Sequence, residues 1–465
     1  MLMEKVLKSK YYSLIVMAII FVFWLLCYLQ YDKVSRVASS YLITIESIEL
    51  TIIGLICAFL LIKYQDLFYV VPWITYTPFV FARPFTSQTI PYALIIAGAL
   101  LFIGIIIHII RFKPKFTIGS NFAGLALLSV ALVLGGINTK QAFLGEQILF
   151  TSIAAVGLIA IYVLFVSMLD VPFRTLAHLI NYLGILLCLE VVCSINHSAD
   201  PLSFLIYKNI GVGWGISNNI AIIMLMTFPI SAYLAVKSKG PKVVLYVFTG
   251  YAQVMTIILT YSRGAIAALI VGGVATIIIG IIKSLSEERS TYLPHIISMG
   301  AFVLITSIVL MWFVNTKNEN LVAYAEGFKN NISNLNLTTF NGRTDIYEHC
   351  IEEFKNNMLF GKGLYAPFFD NNFTGGYQWG HSTVIHTMYT MGLVGLLALA
   401  FHMAQKYLNL FLRPNIEKIF IAIGFLTSGL YGLVDVSYYF INYMVVLIMI
   451  LVCLEKTIKE SFDII

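Results

Sequence analysis

Two arginines and one histidine, in three separate segments, are the residues of this chain whose types and spacing could do chemistry. Arg263 lies in a Ser-Arg-Gly turn between two apolar runs, and Arg343 lies in an Asn-Gly-Arg-Thr-Asp segment. A guanidinium group stays charged and presents a fork of donors that fits phosphate oxygens. His381 opens a further apolar run, and an imidazole can accept a proton near neutral pH. These residues predict proton transfer beside a bound, phosphate-containing group.

Each of these three residues also has a structural interpretation that involves no substrate. Arg263 could anchor a helix end at a membrane interface, because an arginine in hydrocarbon costs about 2.5–3.5 kcal/mol on insertion scales. Arg343 could form a salt bridge with Asp345 or Glu348, which are close to it in sequence. His381, taken alone, could be an ordinary interfacial histidine. Only the combination of the three favours a functional interpretation.

Three further residues complete the candidate substrate site. Lys208 and Asn218 flank a glycine-rich loop, where the backbone could approach a ligand and the start of a helix could bind an anion. Flexibility of the loop explains its glycines equally well. His386 lies deeper in the apolar run that follows His381, which favours a supporting or packing role at the site. Other ionisable residues in or near apolar runs form no evident relay: His108, Glu190 and Asp435.

The composition indicates a membrane protein. Of the 465 residues, 59% are hydrophobic and 11% are charged, against roughly 45–50% and about 25% in soluble domains. This excludes a cytosolic enzyme. Because a bilayer core needs roughly 20 apolar residues per helical span, the long apolar runs predict an all-α, polytopic transmembrane bundle. A membrane β-barrel would show alternating segments of about ten residues. The six cysteines show no metal-binding or disulfide spacing, and we expect neither a metal nor a cofactor.

Hydropathy predicts about fourteen spans, or twelve if the weakest are discounted. They lie at approximately 11–29, 42–62, 66–82, 90–110, 118–137, 146–168, 174–194, 216–236, 241–260, 264–283, 293–314, 383–403, 416–433 and 438–455. The chain then divides into N-terminal transmembrane helices (1–200), helices with the Lys208 and Arg263 loops (201–314), a long extracytoplasmic loop (315–382) and C-terminal transmembrane helices (383–465). Helical spacing of apolar residues predicts short amphipathic helices within the long loop, one of them through Tyr347, Ile351 and Phe354.

Lysine and arginine residues accumulate in every second loop, which predicts the orientation of the chain in the membrane. With a cytoplasmic N-terminus, the basic loops face the cytoplasm and so does the C-terminus. The long loop, the Arg263 turn and the Lys208 loop then share the outer face, so the candidate residues converge on one side of the membrane.

The order of these motifs resembles that of the bacterial O-antigen ligase and polymerase superfamily over roughly residues 207–395. The resemblance rests on Ser262-Arg263-Gly264 between two spans, Gly342-Arg343 before an aromatic-bearing helix, Phe360-Gly361-x-Gly363, and His381 eleven residues before Gly392-Leu-Val-Gly395. Two positions depart from the family pattern. Ser382 stands where an asparagine usually follows the histidine, and Lys208 stands where many members carry an arginine.

Members of this superfamily are integral-membrane glycosyltransferases of the GT-C type, acting on the outer side of the bacterial inner or cytoplasmic membrane. The resemblance implies metal-independent transfer of a glycan from undecaprenyl diphosphate to an acceptor hydroxyl. It implies that His381 is the general base, Arg263 a diphosphate ligand and Arg343 a second cation. The implied partners are the lipid-linked glycan donor, a glycan or lipid-linked acceptor, membrane lipids, a flippase and a chain-length regulator; nucleic acid is not among them.

Three functions remain open at this point. The leading one is a polymerase that joins lipid-linked repeat units into O-antigen, capsule or exopolysaccharide. The second is a ligase that transfers glycan to lipid A-core, protein or another wall polymer by the same chemistry. The third is a flippase for the lipid-linked sugar. Transporters place ionisable residues at the bilayer midplane, whereas here the polar residues concentrate in one outer loop, so an enzyme is favoured.

Overall fold

The structure of the protein is a computed structural model. It describes residues 6–30, 40–82, 92–138, 144–198, 204–205, 208–213, 215–287, 326, 343–363, 380–439 and 441–462. The described residues are helical apart from loops and one short hairpin, so the predicted all-α class is confirmed. Most of the long loop predicted at 315–382, and the whole span predicted at 293–314, lie outside the described residues.

The helices are α1 (Lys10–Leu29), α2 (Ser40–Lys63), α3 (Val71–Tyr76), α4 (Tyr92–Phe112), α5 (Phe122–Ile137), α6 (Leu144–Met168), α7 (Phe173–Asn196), α8 (Ser217–Val236), α9 (Pro241–Leu259), α10 (Arg263–Glu287), α11 (Arg343–Asn356), α12 (Thr383–Phe411), α13 (Ile416–Gly432) and α14 (Ile441–Phe462). The hairpin pairs β1 (Gly211–Val212) with β2 (Gly215–Ile216) in antiparallel register.

Seven helices within the described residues are long and apolar enough to cross a membrane, namely α1, α2, α4, α7, α8, α9 and α12. Shorter apolar helices lie at 67–80, 122–137, 155–168 and 263–279. The chain is therefore a polytopic helical membrane protein, as predicted.

The weak span predicted at 66–82 is not one continuous helix. Two 3₁₀ turns, Leu67–Tyr69 and Thr77–Val80, flank the six-residue helix α3. Pro72 and Pro78 each lie in the first turn of a new helical piece. A proline has no N–H to donate and clashes with the preceding turn, so it starts a helix and does not continue one. Both prolines therefore interrupt the helix that the apolar run predicts.

The described residues divide into two compact units, one from 1–115 and 168–330 and the other from 116–167 and 331–465. In the first unit, α2 and α4 approach closely through small residues. A Cβ atom on Gly54 would lie 2.9 Å from the Ala97 Cα, and one on Gly104 would lie 3.1 Å from the Ala58 Cα. Close packing of small residues is a main source of helix association in membranes.

A buried hydrogen-bond network joins α7, α8 and α9 in the first unit. The Asn181 side-chain oxygen accepts from the Ser231 hydroxyl at 2.5 Å and from the Thr249 hydroxyl at 3.2 Å. The Gln253 amide donates to Ser231 and accepts from Thr227, both at 2.9 Å. Polar groups in an apolar environment must be satisfied by protein partners, so these residues cross-link three neighbouring helices.

In the second unit, a glutamate near the C-terminal end joins two segments that are distant in the chain. The Glu455 carboxylate of α14 accepts from the Asn121 N–H at 2.9 Å, from the Asn121 amide at 2.7 Å and from the Tyr162 hydroxyl at 2.7 Å. Asn121 precedes α5, and Tyr162 lies on α6. The inserted pair α5 and α6 is thereby attached to the C-terminal helices, among which α12 carries the candidate site.

Candidate active site

The Asp435 carboxylate lies between an arginine and a histidine in the second unit. Its Oδ2 lies 3.7 Å from Arg343 Nη2, and its Oδ1 lies 3.6 Å from His381 Nδ1. Arg343 is the first residue of α11, His381 precedes α12, and Asp435 follows α13. The carboxylate side chain is 8% exposed, whereas the Arg343 and His381 side chains are 26% and 35% exposed. One buried anion thus faces two cationic or basic groups that reach toward solvent.

Neighbouring groups hold this carboxylate in its ionised form. The Val436 N–H donates to Oδ1 at 2.8 Å, and the Tyr431 hydroxyl donates to Oδ2 at 3.3 Å. Burial raises the pKa of Asp435, but the nearby His381, the Val436 N–H and the Arg343 charge together lower it below its ordinary value of 3.8. Asp435 is therefore a carboxylate throughout the neutral range.

The segment that contains Asp435 is fastened to the start of α12 and to Arg343. The Thr383 hydroxyl lies 3.3 Å from the Asp435 carbonyl oxygen and accepts from the Ser437 N–H at 3.1 Å. The Arg343 guanidinium also donates to the Val434 carbonyl oxygen. These contacts link three helices around Asp435, so its position depends on all of them.

Two buried or half-buried groups hold the backbone around His381. The Tyr347 hydroxyl donates to the His381 carbonyl oxygen at 3.0 Å. His386 is fully buried, and its Nδ1 accepts from the Gly380 N–H at 3.2 Å. His381 itself has a φ of +43°, in the left-handed region that few residues other than glycine adopt. The supporting role of His386 stays a prediction.

A break in α12 receives the chain segment that follows α11. Gly392 has a φ of +64° and a ψ of −156°, so the helical hydrogen bonds are interrupted there. The Lys362 and Gly363 N–H groups donate to the free Tyr389 and Thr390 carbonyl oxygens at 3.0 and 2.9 Å. In the opposite direction, the N–H groups of residues 393 and 394 donate to the carbonyl oxygens of residues 358 and 359. The broken helix is thus completed by another part of the chain.

Glycine is required at this junction, which we call the α12 splice (residues 357–363 with 389–394). A Cβ atom on Gly361 would lie 2.3 Å from backbone atoms of α12, and one on Gly392 would lie 2.5 Å from the Leu359 backbone. Gly363 also has a positive φ, of +96°. The Lys362 ammonium, which is nearly buried, forms an ion pair of 2.7 Å with Glu353 of α11. The splice therefore explains Gly361, Gly363 and Gly392 of the two glycine motifs and fixes the end of α11 against α12.

Three predicted site residues lie in the first unit. Arg263 is the first residue of α10 and is half-buried, next to the buried Ser262. Lys208 has a φ of +54°, and its carbonyl oxygen accepts from the Ser217 hydroxyl at 3.3 Å. Asn218 lies in the first turn of α8. The glycine-rich loop between Lys208 and Asn218 contains the folded β1–β2 hairpin.

In the second unit, the structure brings together Arg343, His381 and His386, and it adds residues that the sequence had not singled out for the site. Arg343 forms its ion pair with Asp435 and not with the nearby Asp345 or Glu348 expected as alternatives. Asp435 was noted in the sequence only as an ionisable residue near an apolar run, and it lies 54 positions after His381. The sequence does not indicate that Asp435 lies beside Arg343 and His381, because this contact arises only when the helices pack together.

Residues 248–400 match a family model described as O-antigen ligase. Over this stretch, the chain is similar to the O-antigen ligase and polymerase superfamily, and the match supports the predicted resemblance. The match covers about a third of the chain and includes Arg263, Arg343, His381 and His386, whereas Lys208, Asn218 and Asp435 lie outside it. No curated protein matches the chain significantly. The family implies a membrane enzyme of the glycosyltransferase type that acts on lipid-linked glycans.

Proposed function

We propose that this O-antigen ligase family protein is a metal-independent polymerase of undecaprenyl-diphosphate-linked repeat units, acting on the outer face of a bacterial inner or cytoplasmic membrane. The observation that carries the proposal is the Arg343–Asp435–His381 arrangement, two of whose members lie inside the matched stretch. It supplies a base, a carboxylate to stabilise the protonated base, and a cation for a phosphate group.

His381 acts as the general base in this reaction. Asp435 faces Nδ1 of the imidazole, which favours the tautomer with its proton on Nδ1 and leaves Nε2 free to accept a proton. The acceptor hydroxyl gives its proton to Nε2 while its oxygen forms a bond to the anomeric carbon of the donor glycan. The resulting imidazolium is stabilised by the Asp435 carboxylate.

The diphosphate leaves with the electron pair of the broken glycosidic C–O bond. Arginine is suited to this leaving group because it stays charged and can bind two phosphate oxygens at once. Arg343, which is 26% exposed and has further donors beyond those used by Asp435 and Val434, is one such cation. Arg263, Lys208 and Asn218 remain sequence-based candidates for diphosphate or glycan binding.

The family description itself favours a second function, transfer of a finished glycan onto a different acceptor. Both functions use the same base and the same leaving group, so the acceptor alone separates them. The test supplies purified, reconstituted protein with lipid-linked repeat units alone. A ladder of longer lipid-linked products identifies a polymerase. Absence of product until lipid A-core or another acceptor is added identifies a ligase, and absence of product with every acceptor contradicts glycan transfer altogether.

A further inference from the structure

Tyr347 connects α11 to the backbone of the residue proposed as the general base. Its hydroxyl donates to the His381 carbonyl oxygen at 3.0 Å, across 34 positions of the sequence. Tyr347 lies four residues after Arg343 on α11, so both side chains project from one face of that helix. One face of α11 thus makes two contacts at the proposed base. Arg343 pairs with Asp435, which faces the imidazole, and Tyr347 bonds to the His381 backbone.

The His381 backbone needs such a contact because its conformation is unfavourable. A φ of +43° lies in the left-handed region, where a residue other than glycine costs of order 1–3 kcal/mol unless its surroundings hold it. The adjacent Ser382 occupies the N-cap position of α12, but its side chain makes no capping hydrogen bond. The Tyr347 hydroxyl bonds directly to the strained peptide and can offset part of that cost.

The helix that carries Tyr347 is itself held in place. At its C-terminal end, α11 continues into the α12 splice, and Glu353 on α11 forms the 2.7 Å ion pair with Lys362. Burial raises the pKa of the Tyr347 hydroxyl, an effect that the Arg343 charge opposes only in part. The hydroxyl therefore keeps its proton and donates throughout the neutral range.

We propose that Tyr347 is a positioning residue, whose hydroxyl keeps His381 in the backbone conformation that sets its imidazole against Asp435. Without this hydrogen bond, the His381 peptide relaxes toward an ordinary conformation and the imidazole leaves the carboxylate. The catalytic consequence rests on the proposed function, whereas the effect on the position of His381 does not. A misplacement of about 1 Å in a catalytic group can reduce the rate on the order of 100-fold.

The test compares Tyr347→Phe with Tyr389→Phe. Tyr389 is 1% exposed, and its hydroxyl has no hydrogen-bond partner among the described residues, so this control removes the same atom without breaking a hydrogen bond. Both variants are reconstituted in lipid nanodiscs, and their thermal unfolding is checked first. Turnover is measured as release of undecaprenyl diphosphate from lipid-linked glycan extracted from the bacterium that produces the protein.

A second measurement follows the position of His381 without any substrate. Diethyl pyrocarbonate at pH 7 modifies accessible imidazoles, and peptide mass spectrometry gives the rate at His381 relative to the exposed His197. In Tyr347→Phe we expect this relative rate to change by about threefold or more, since one net hydrogen bond changes a population by that order. We expect kcat to fall by about 10- to 100-fold while KM for the donor stays within about twofold.

Unchanged kcat in Tyr347→Phe, or labelling of His381 equal to that in Tyr389→Phe, would overturn the proposal. If the native protein transfers no glycan from the donor to any acceptor, the proposed function fails and the labelling measurement alone decides. A changed rate at His381 then supports the positioning by Tyr347, and an unchanged rate overturns it.

Discussion

At the scale of single residues, the candidate site depends on a buried carboxylate shared between two groups of different chemistry. Asp435 places one oxygen toward Arg343 and the other toward His381, and its low pKa keeps it charged. A fixed negative charge beside an imidazole stabilises the protonated form that arises when the acceptor hydroxyl loses its proton. Such a charge is effective because it is in place before the reaction and needs no reorganisation.

Replacement of His381 by alanine should remove the general base. We expect kcat to fall by about 10²- to 10⁴-fold, the usual contribution of a placed base, with normal folding and membrane insertion. The measurement is glycan transfer from the lipid-linked donor by purified protein. The matched control is His197→Ala, which removes an exposed histidine of the first unit. Native-like turnover in His381→Ala would exclude this residue as the base.

Asp435→Asn should keep the shape of the side chain while removing its charge. We expect turnover to fall by about 10- to 100-fold, equivalent to about 1.4–2.8 kcal/mol of transition-state stabilisation. Transfer at the native rate would show that His381 works without the carboxylate.

The low pKa of Asp435 also predicts how the stability of the protein depends on pH. Because folding lowers this pKa from about 3.9 in the unfolded chain, the ionised carboxylate stabilises the fold above that pH. This contribution is lost as the pH falls through the folded pKa. The native protein should therefore exceed Asp435→Asn in melting temperature at about pH 5, and the margin should shrink as the pH falls below about 4. A margin that grows between about pH 5 and pH 3 would contradict the assignment.

At the scale of elements, the α12 splice determines how the helix with Arg343 and Tyr347 meets the helix that follows His381. Four backbone hydrogen bonds cross between residues 358–363 and 389–394, and the Asn138 amide at the end of α5 donates to the Gly361 carbonyl oxygen at 2.7 Å. The hydrogen bonds lost at the helix break are thereby replaced, as backbone groups in a membrane require.

Gly392→Ala should destabilise this junction. The backbone of Gly392 lies in a region that is essentially restricted to glycine, and an added Cβ would lie 2.5 Å from the Leu359 backbone. We expect a loss of at least about 1–3 kcal/mol, measured by thermal unfolding in detergent. Gly157→Ala on α6 is the control, because nothing lies within 4 Å of the added Cβ. Equal stability of the two variants would contradict the role of the splice.

At the scale of the whole molecule, the second unit is assembled from two separate stretches of chain. Helices α5 and α6 come from the first stretch and α11, α12, α13 and α14 from the second. The two stretches are connected by the hydrogen bonds that Asn121 and Tyr162 donate to Glu455 of α14. The four segments predicted from the sequence, with boundaries after residues 200, 314 and 382, are consecutive along the chain, and this division stays a prediction. The two compact units each combine stretches that are separate in the chain.

The orientation predicted from basic loops is testable on the whole protein. In a cysteine-free background, we expect Asn196→Cys at the end of α7 to react with an impermeant maleimide in intact spheroplasts. Lys239→Cys, between α8 and α9, should react only after the membrane is permeabilised, because the positive-inside rule places that basic loop in the cytoplasm. Both positions are exposed, so accessibility differs by side alone. The reverse labelling pattern would invert the proposed orientation.

The sequence by itself determined the helical class, the approximate bounds of most described helices and the resemblance to the O-antigen ligase and polymerase superfamily. Helix α7, predicted at 174–194, begins at Phe173 and ends at Asn196, because apolar length and helical period are properties of a local segment. The motif residues Arg343 and His381 were likewise found from local patterns. Only the tertiary structure decided that Asp435 lies between them, that Tyr347 holds the His381 peptide, and that the two glycine motifs meet at one helix break. These contacts join positions 27 to 92 residues apart, and their formation depends on how the helices pack, which no local pattern encodes.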